Sequence, residues 1–435
     1  MEPLCTLDDW LVHVEKLHEK PIDLGLDRMK LMIERMGIRF ECPVVTVAGT
    51  NGKGSTCAMI ERICRAAGLR TGMHTSPHLI RFNERALLCG REASDEALVE
   101  CLKEVEDARR GLSLSYFEFT GLAILRLFQK SALDVVVLEI GLGGRLDAIN
   151  AIDPDVSVIC AVGIDHTAFL GSTREAIGLE KAHIYRSGRP AICADPEPPA
   201  TIPEYAREIG AHYLAAGRDF DVKVHADGTF DFIFGEERIE GLPRPALVGR
   251  NQYRNAAGAL AAVMELRGRL PIGAAAVAEG LRSVRIAARF ERVREEPCPT
   301  ILDVGHNPNA AEALVVNLAD TKRAGERTLA VFGMLVDKDR PSVIRIVKPE
   351  IDHWFASGIS GPRGTTTEEI LASLVEGGVE RSAVTASQNP VESLAKARDA
   401  ARKMLAEAPD RPVRIIVFGS FVTVTAVMEA LAAEG

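Results

Sequence analysis

Short β-branched runs alternate with helical stretches along this chain, the pattern of an α/β protein built on a mainly parallel sheet. Residues 43–48 (Pro-Val-Val-Thr-Val-Ala) read as a buried strand. A glycine-rich turn follows, and residues 55–67 read as a helix closed by Gly68. Residues 134–140 predict a second strand with a carboxylate, Glu139, near its C-terminal end. Residues 156–162 predict a third, which runs directly into Asp165-His166. Ligands of open parallel sheets collect outside the carboxyl ends of the strands, so these three strands aim the residues after them at one crevice.

Residues 255–267 form an alanine-rich helical pattern, and a second helix is expected over 272–281. The charged stretch 285–299, with two prolines near its end, reads as a connection. Beyond it the pattern restarts, with strands expected at 300–304, 328–332, 353–355 and 413–418 and helices between them. The domain boundary is therefore placed near residue 290, giving a first domain over 1–290 and a smaller one over 291–435. No internal repeat stands out.

Composition narrows the class. A chain of 435 residues, 47% hydrophobic and 26% charged, is long enough for two domains with real cores. A formal charge of −9 argues against a general polyanion-binding surface, and hence against nucleic acid as partner. The nine cysteines are scattered, with no Cys-x-x-Cys pair, which suggests reduced thiols and neither a zinc cluster nor a disulfide framework. The N-terminus is acidic, and no apolar run approaches the roughly 18 residues of a membrane span. A soluble, cytoplasmic protein is expected.

The strongest local signal is Gly49-Thr-Asn-Gly-Lys-Gly-Ser-Thr56, set between a strand and a helix. Glycines let successive N–H groups face an anion, the helix N-terminus adds its positive end, and Lys53 supplies a point charge for outer phosphates. The usual phosphate-binding pattern has Ser or Thr directly after the lysine; here Gly54 intervenes before Ser55. A glycine-rich turn of purely geometric origin is the competing reading.

Glu139 is a candidate Mg²⁺ ligand, since a charge inside Val-Val-Val-Leu-Glu-Ile is costly without a partner. On its own it could equally be an ordinary strand-end acid. The loop Gly141-Leu-Gly-Gly-Arg-Leu-Asp147 directly after it permits close backbone approach to a ligand. A lone His166 is more often a structural hydrogen-bonder than a ligand, although Asp165 beside it favours a ligand role. By pattern alone Lys181, on a predicted helix with a charged face, reads as a solvated surface lysine.

Several motifs in one order now carry a resemblance. They are Ile22-Asp-Leu-Gly-Leu26, Val47-Ala-Gly-Thr-Asn-Gly-Lys-Gly-Ser55, Thr75-Ser-Pro-His-Leu-Ile-Arg-Phe-Asn-Glu-Arg85 and Leu138-Glu-Ile-Gly-Leu-Gly-Gly-Arg-Leu-Asp147. With them stand Asp165-His166, Glu180-Lys-Ala182, Asp303-Val-Gly-His-Asn-Pro308 and Phe418-Gly-Ser420. Over essentially its whole length the chain resembles the folylpolyglutamate synthase and dihydrofolate synthase enzymes of the Mur ligase superfamily. The resemblance implies a P-loop ATPase domain followed by a Rossmann-like glutamate-ligase domain. It also accounts for Gly54, because the variant loop is the form this superfamily uses.

On this resemblance Thr50, Asn51, Gly52, Lys53, Gly54 and Ser55 would hold the phosphates of ATP, and Asn255, Arg289 and Asp303 would contact the nucleotide. Ser76 and Glu139 look like ligands of one Mg²⁺. His166 matches a ligand of a second, together with Lys181, which the family carries carbamylated. That reverses the surface reading of Lys181. A carbamate is an oxygen-donating anion, and its formation needs a lysine pushed down from about 10.4 to a neutral amine. His306 and Ser420 align with positions near the incoming glutamate. Ile22, Asp23, Ser115, Tyr116, Phe117, Glu118, Leu146, Asp147 and Ala148 match pteroate-binding segments, and Arg81 is a candidate for substrate or phosphate. A monovalent cation is a further candidate cofactor, and family members are often monomers.

The chain departs from the family at Lys181-Ala-His183, Gly249-Arg-Asn-Gln252, Leu146-Asp-Ala-Ile-Asn150 and Ala288 before Arg289, without losing any proposed ligand. The implied chemistry is phosphorylation of a carboxylate by ATP, then attack by the amine of L-glutamate to form an amide, ADP and phosphate, with Lys53 and Mg²⁺ neutralising charge. The substrates would be 7,8-dihydropteroate and reduced folates, both in one bifunctional chain. Folylpolyglutamate synthase activity alone, a peptidoglycan-precursor ligase of the same superfamily, and a nucleotide-binding regulatory module are the alternatives.

Overall fold

The computed structural model describes residues 4–20 and 23–434, so Ile22 lies outside the described residues. Contacts divide the chain into one unit of residues 1–246 and 253–284 and a second of residues 247–252 and 285–435. The boundary expected at 290 falls inside a strand of the second unit, Arg289–Arg294. The stretch 285–299 is thus not a mere connection. Its Arg-Phe-Glu-Arg-Val-Arg alternation pairs along Thr300–Asp303 as an edge strand.

The first unit is organised by eight strands: β1 (Val44–Ala48), β2 (Thr71–His74), β3 (Ala86–Leu88), β4 (Arg91–Glu92), β5 (Val135–Glu139), β6 (Val156–Ile159), β7 (Pro190–Cys193) and β8 (His212–Ala215). They lie in the order β4-β3-β2-β5-β1-β6-β7-β8. From β2 to β8 every pairing is parallel, and β3 and β4 add an antiparallel edge. β1 and β5, buried along their whole length, are the aliphatic runs read from the sequence, as expected for central parallel strands covered on both faces. A separate antiparallel sheet, β9 (Phe220–Val224), β10 (Phe230–Phe234) and β11 (Glu237–Leu242), has no counterpart in the sequence reading.

Register decides what meets at the carboxyl edge. Val47 of β1 stands beside Glu139 of β5, and Ala48 stands beside Ile159 of β6. Adjacent strands are about 4.8 Å apart, so the turn after β1, the acid ending β5 and the segment after β6 emerge side by side. The helix after β1 runs Lys53–Ala66, starting two residues earlier than the sequence predicts, because Gly52 serves as its N-cap.

The second unit carries β12 (Arg289–Arg294), β13 (Thr300–Asp303), β14 (Arg327–Phe332), β15 (His353–Ser357), β16 (Val384–Ser387) and β17 (Val413–Phe418), in the order β12-β13-β17-β14-β15-β16. All but the β12 pairing are parallel. Phe332, Trp354 and Phe418 pack edge-on and tilted at its centre, with centroids 5.1–6.0 Å apart. Its helices start sharply, with Asn307 and Asn389 capping Pro308–Thr321 and Pro390–Glu407, and Ser420 capping Phe421–Ala433. Among the described residues no helix is long and apolar enough to cross a membrane.

Candidate active site

The turn after β1 is shaped by Gly52. Its backbone sits at φ +88°, and a Cβ there would come within 2.4 Å of Asn255 Oδ1. Only glycine satisfies both demands, and the close approach puts buried Asn255, on the helix Asn251–Leu266, directly over the turn. Thr50 ties the turn sideways: its N–H donates to Ala161 O at 2.7 Å, and its hydroxyl donates to Gly163 O at 2.9 Å. The Gly163 N–H returns to the same hydroxyl at 3.0 Å. Asn51 bridges to Ala161. Lys53 curls back so that its Nζ lies 3.3 Å from Gly49 O and 3.5 Å from Thr50 O. Gly54 and Ser55 are buried in the first turn of the helix. A cationic turn with its helix N-terminus behind it is an anion cradle.

Lys181 is where the pattern reading fails. The side chain is buried, 3% exposed, and its Nζ donates to Gly49 O of the turn at 3.1 Å. Burial pulls its pKa down to about 7, and the neighbouring Lys53 charge pushes the same way. Periodicity could not reveal this, because the turn it meets lies 132 positions earlier in the chain. The amine is therefore neutral enough at physiological pH to act as a nucleophile.

Glu139 ends β5 buried, and its Oε2 accepts the Ser76 N–H at 3.3 Å, which puts the Ser76 backbone against the carboxylate. One carboxylate and one hydroxyl suit a hard divalent ion that completes its shell with phosphate oxygens and water. Among the described residues no three His, Cys, Asp or Glu side chains form a cage of their own. The donor set fits an ion held jointly with a nucleotide. His166 follows β6 at φ +51°, with its N–H on Asp165 Oδ1 at 2.8 Å.

The segments matched to an organic acid also converge. Phe117 and Asp147 both pack against Gly141, two residues beyond Glu139. Asp147 is buried, accepts the Leu142 and Ile149 N–H groups at 2.8 and 3.0 Å, and has its pKa raised to about 6, chiefly by burial. Leu146 O accepts the Gly25 N–H at 3.2 Å, and Ala148 begins a short 3-10 turn capped by Asp147. Ser115 and Glu118 form the capping box of the helix Tyr116–Lys130. Arg28 joins Glu118, at 2.9 Å, to Asp23, at 2.7 Å. Tyr116 lies under the Arg85 guanidinium, 5.8 Å from the ring centroid.

Arg81 stands apart as an exposed side chain engaged by Asp95 at 3.1 Å and Glu92 at 3.7 Å. The sequence reading passed over Arg85 and Arg28. Arg85 is largely withdrawn from solvent, donates to His78 Nδ1 at 2.8 Å and stacks on Phe82, and burial lowers its pKa. Its place in the Thr75–Arg85 motif was the available signal; Arg28 had none.

In the second unit, Arg289, Asp303, His306 and Ser420 gather at the carboxyl edge of its sheet. Register sets Arg289 opposite Asp303, and Asp303 beside Phe418, two residues before Ser420. Asp303 accepts the Gly305 and Phe290 N–H groups at 2.7 and 3.0 Å. Burial raises its pKa, opposed by those bonds and by the Arg289 charge. His306 Nδ1 lies 2.9 Å from Val304 O, and the Phe421 ring lies under Arg289, at 5.5 Å, and tilted against His306, at 6.1 Å. Ser420 Oγ accepts the Thr423 N–H at 3.0 Å.

Known proteins are similar to this chain in sequence and fold. Residues 47–263 match the Mur ligase middle domain, and residues 288–421 match the Mur ligase, glutamate ligase domain. The dihydrofolate synthase/folylpolyglutamate synthase of Escherichia coli (strain K12) is 42% identical over 429 residues, 98% of this chain and 96% of that one. A structure of E. coli FolC in complex with DHPP and ADP superposes with TM-score 0.90 at 41% identity, covering 99% of this chain and 98% of that chain. A bifunctional folylpolyglutamate synthase/dihydrofolate synthase from Yersinia pestis, complexed with AMPPNP and Mn ion, gives TM-score 0.88 at 38% identity over 99% and 100% of the two chains.

Proposed function

Because the chain belongs to the Mur ligase family, among its dihydrofolate synthase/folylpolyglutamate synthases, we propose that the two residue clusters, one in each unit, carry out glutamate ligation. The protein is an ATP-dependent ligase that forms a carbon–nitrogen bond. It adds L-glutamate to 7,8-dihydropteroate and to reduced folates through an acyl phosphate. ATP and a divalent cation are its co-substrate and cofactor. The finer reading is two Mg²⁺ ions, a monomer and a cytoplasmic location, with dihydropteroate or folate, glutamate and ATP as small-molecule partners and neither nucleic acid nor membrane.

The observation that carries this reading is the convergence of Lys181 on the phosphate turn, as a buried amine of pKa about 7 only 3.1 Å from Gly49 O. A lysine so placed serves no surface role, and a neutral amine is the form that takes up CO₂ to become a carbamate ligand. Thr50, Asn51, Gly52, Lys53, Gly54 and Ser55 cradle the triphosphate. Lys53 leaves the Gly49 and Thr50 carbonyls for the phosphate oxygens. Ser76 and Glu139 hold one divalent ion, and His166 with carbamylated Lys181 holds the second. Bound there, the cation neutralises charge on the transferring phosphoryl group.

Asp147, Phe117, Tyr116 and their neighbours seat the acid beside Glu139, so its carboxylate is held for in-line phosphorylation. Arg85, stacked on Tyr116, feels the Glu139 charge and would face the acid's negative charge near it. In the second unit His306 and Ser420 receive glutamate, and Arg289 and Asp303 attend the nucleotide. Transfer of the terminal phosphoryl group of ATP to the acid's carboxylate gives the acyl phosphate and releases ADP; the amine of glutamate then displaces phosphate from it, which yields the amide, inorganic phosphate and a proton.

The test is ATP-dependent phosphate release with dihydropteroate, tetrahydrofolate or a muramyl substrate, each with and without glutamate. Release with both pterin substrates, only when glutamate is present, is expected. Lys53→Ala and Glu139→Ala should abolish it while leaving the fold intact. Normal turnover by either variant, or preference for the muramyl acid, refutes the reading.

A further inference from the structure

The backbone just beyond β6 is held by a pair of side chains that no catalytic step uses. Val162 is buried at 3% exposure and lies past the last strand residue, Ile159, so the sheet gives its N–H and C=O no partner. Asp195 Oδ2 accepts the Val162 N–H at 2.8 Å, and Arg174 Nε donates to Val162 O at 3.0 Å. The two side chains also meet each other, Arg174 Nη2 to Asp195 Oδ2 at 3.3 Å. Both are anchored at Glu197: its N–H donates to Asp195 Oδ1 at 3.0 Å, and its carbonyl accepts Arg174 Nη2 at 2.9 Å. Asp195 is buried, 6% exposed.

The segments joined by this knot give it meaning. Val162 precedes Gly163, which is locked to Thr50 of the phosphate turn, and it stands four residues before His166 with its left-handed backbone. Arg174 opens the helix Arg174–Ala182, on which Lys181 lies seven residues further along, about 10 Å down the axis. The knot therefore ties together the two ends of the segment 163–173, which carries His166 and the short helix Thr167–Leu170, and it joins the start of that segment to the first turn of the helix that bears Lys181. Asp165 and His166 sit on that segment, on which Ile164 and Phe169 are exposed. Without the clamp Gly163 stays on Thr50, but the tie between Val162 and the first turn of the Lys181 helix is lost.

We infer that Arg174 and Asp195 are positioning residues for the divalent-cation site, acting through Val162 and the first turn of the Lys181 helix. This rests on the proposed roles of His166 and Lys181 as cation ligands. Outer partners that orient ligands change metal affinity by about 10- to 100-fold when removed, and the same range is expected here.

The experiment compares full-length wild type, Asp195→Ala, Asp195→Asn and Arg174→Met. Phosphate release with dihydropteroate, ATP and glutamate is titrated with Mn²⁺, and Mn²⁺ binding in the presence of ADP is followed by electron paramagnetic resonance. Asp195→Ala and Arg174→Met should raise the half-saturating Mn²⁺ about 10- to 100-fold in both measurements, with kcat at saturating Mn²⁺ and KM for dihydropteroate within about twofold of wild type. Asp195→Asn keeps an acceptor for the Val162 N–H and should recover most of the affinity. Chymotrypsin should cut the ligand-free alanine variant faster at Phe169. Arg174 is two-fifths exposed, so its replacement tests the clamp even if Asp195→Ala does not fold.

Unchanged Mn²⁺ affinity in folded variants overturns the inference alone. A fall in kcat without a change in Mn²⁺ affinity also overturns it. A wild type that shows no Mn²⁺-dependent ligation overturns the assignment beneath it.

Discussion

Replacing Gly52 with alanine tests the phosphate turn where its geometry is most constrained. An alanine at φ +88° pays about 1–2 kcal/mol for a left-handed backbone. Its Cβ would also lie 2.4 Å from Asn255 Oδ1, so Asn255 must move, and a buried polar group pulled from its partners costs about 1–3 kcal/mol. The sum is about 2–5 kcal/mol. Whatever part the free protein relieves by shifting the turn must be repaid when nucleotide binds. Affinity for ADP then falls about tenfold for each 1.4 kcal/mol relieved. Denaturant unfolding and calorimetric titration with ADP and Mg²⁺ measure both terms. A cycle with Asn255→Ala separates them, since removing the amide removes the clash and leaves the backbone cost. The cycle should show a coupling of about 1–3 kcal/mol, well above the few tenths typical of independent sites. Wild-type stability and ADP affinity in Gly52→Ala, or a cycle without coupling, would refute the reasoning.

Lys181 makes stability depend on pH. In CO₂-free buffer its folded pKa of about 7 lies below the unfolded value near 10.4, so between them only the unfolded chain holds the proton. Stability contributed by this group therefore rises from pH 7 toward 10, with a slope approaching about 1.4 kcal/mol per pH unit, and Lys181→Met should flatten it in urea titrations. With ¹³C-bicarbonate, wild type should show a carbamate resonance that Lys181→Arg lacks. Ser115→Ala removes the N-cap of the helix Tyr116–Lys130 and should cost about 0.5–2 kcal/mol in denaturant melts. In the second unit, buried Arg414 donates to Thr328, Thr321 and Leu318 and lies 3.6 Å from Glu326. Arg414→Ala takes the donor from the Leu318 carbonyl and the Thr328 and Thr321 hydroxyls, while Glu326 keeps Arg323 at 2.9 Å, and should lower stability by about 1–3 kcal/mol, read from the same melts.

The separation of local from long-range encoding runs through these residues. The strands at 44–48 and 135–139, the turn between strand and helix, and the restart of the pattern beyond 290 are written in short stretches, because periodicity and glycine backbone freedom act over a few residues. The ordered motifs carry the resemblance on which Ser76, Glu139, His166 and Lys181 are proposed as cation ligands. β12 escaped because an edge strand rich in arginine lacks the apolar run of a central one. Lys181 looked solvated because its helix carries charge on either side, yet its amine meets a carbonyl 132 positions away. Arg28 finds Glu118 across 90 residues, and Asp195 finds Val162 across 33. Burial and electrostatics at such sites belong to pairs of segments that only the packed sheet brings together. The chain alone thus settles which chemistry is available, while the fold decides which lysine is stripped of water and what holds it there.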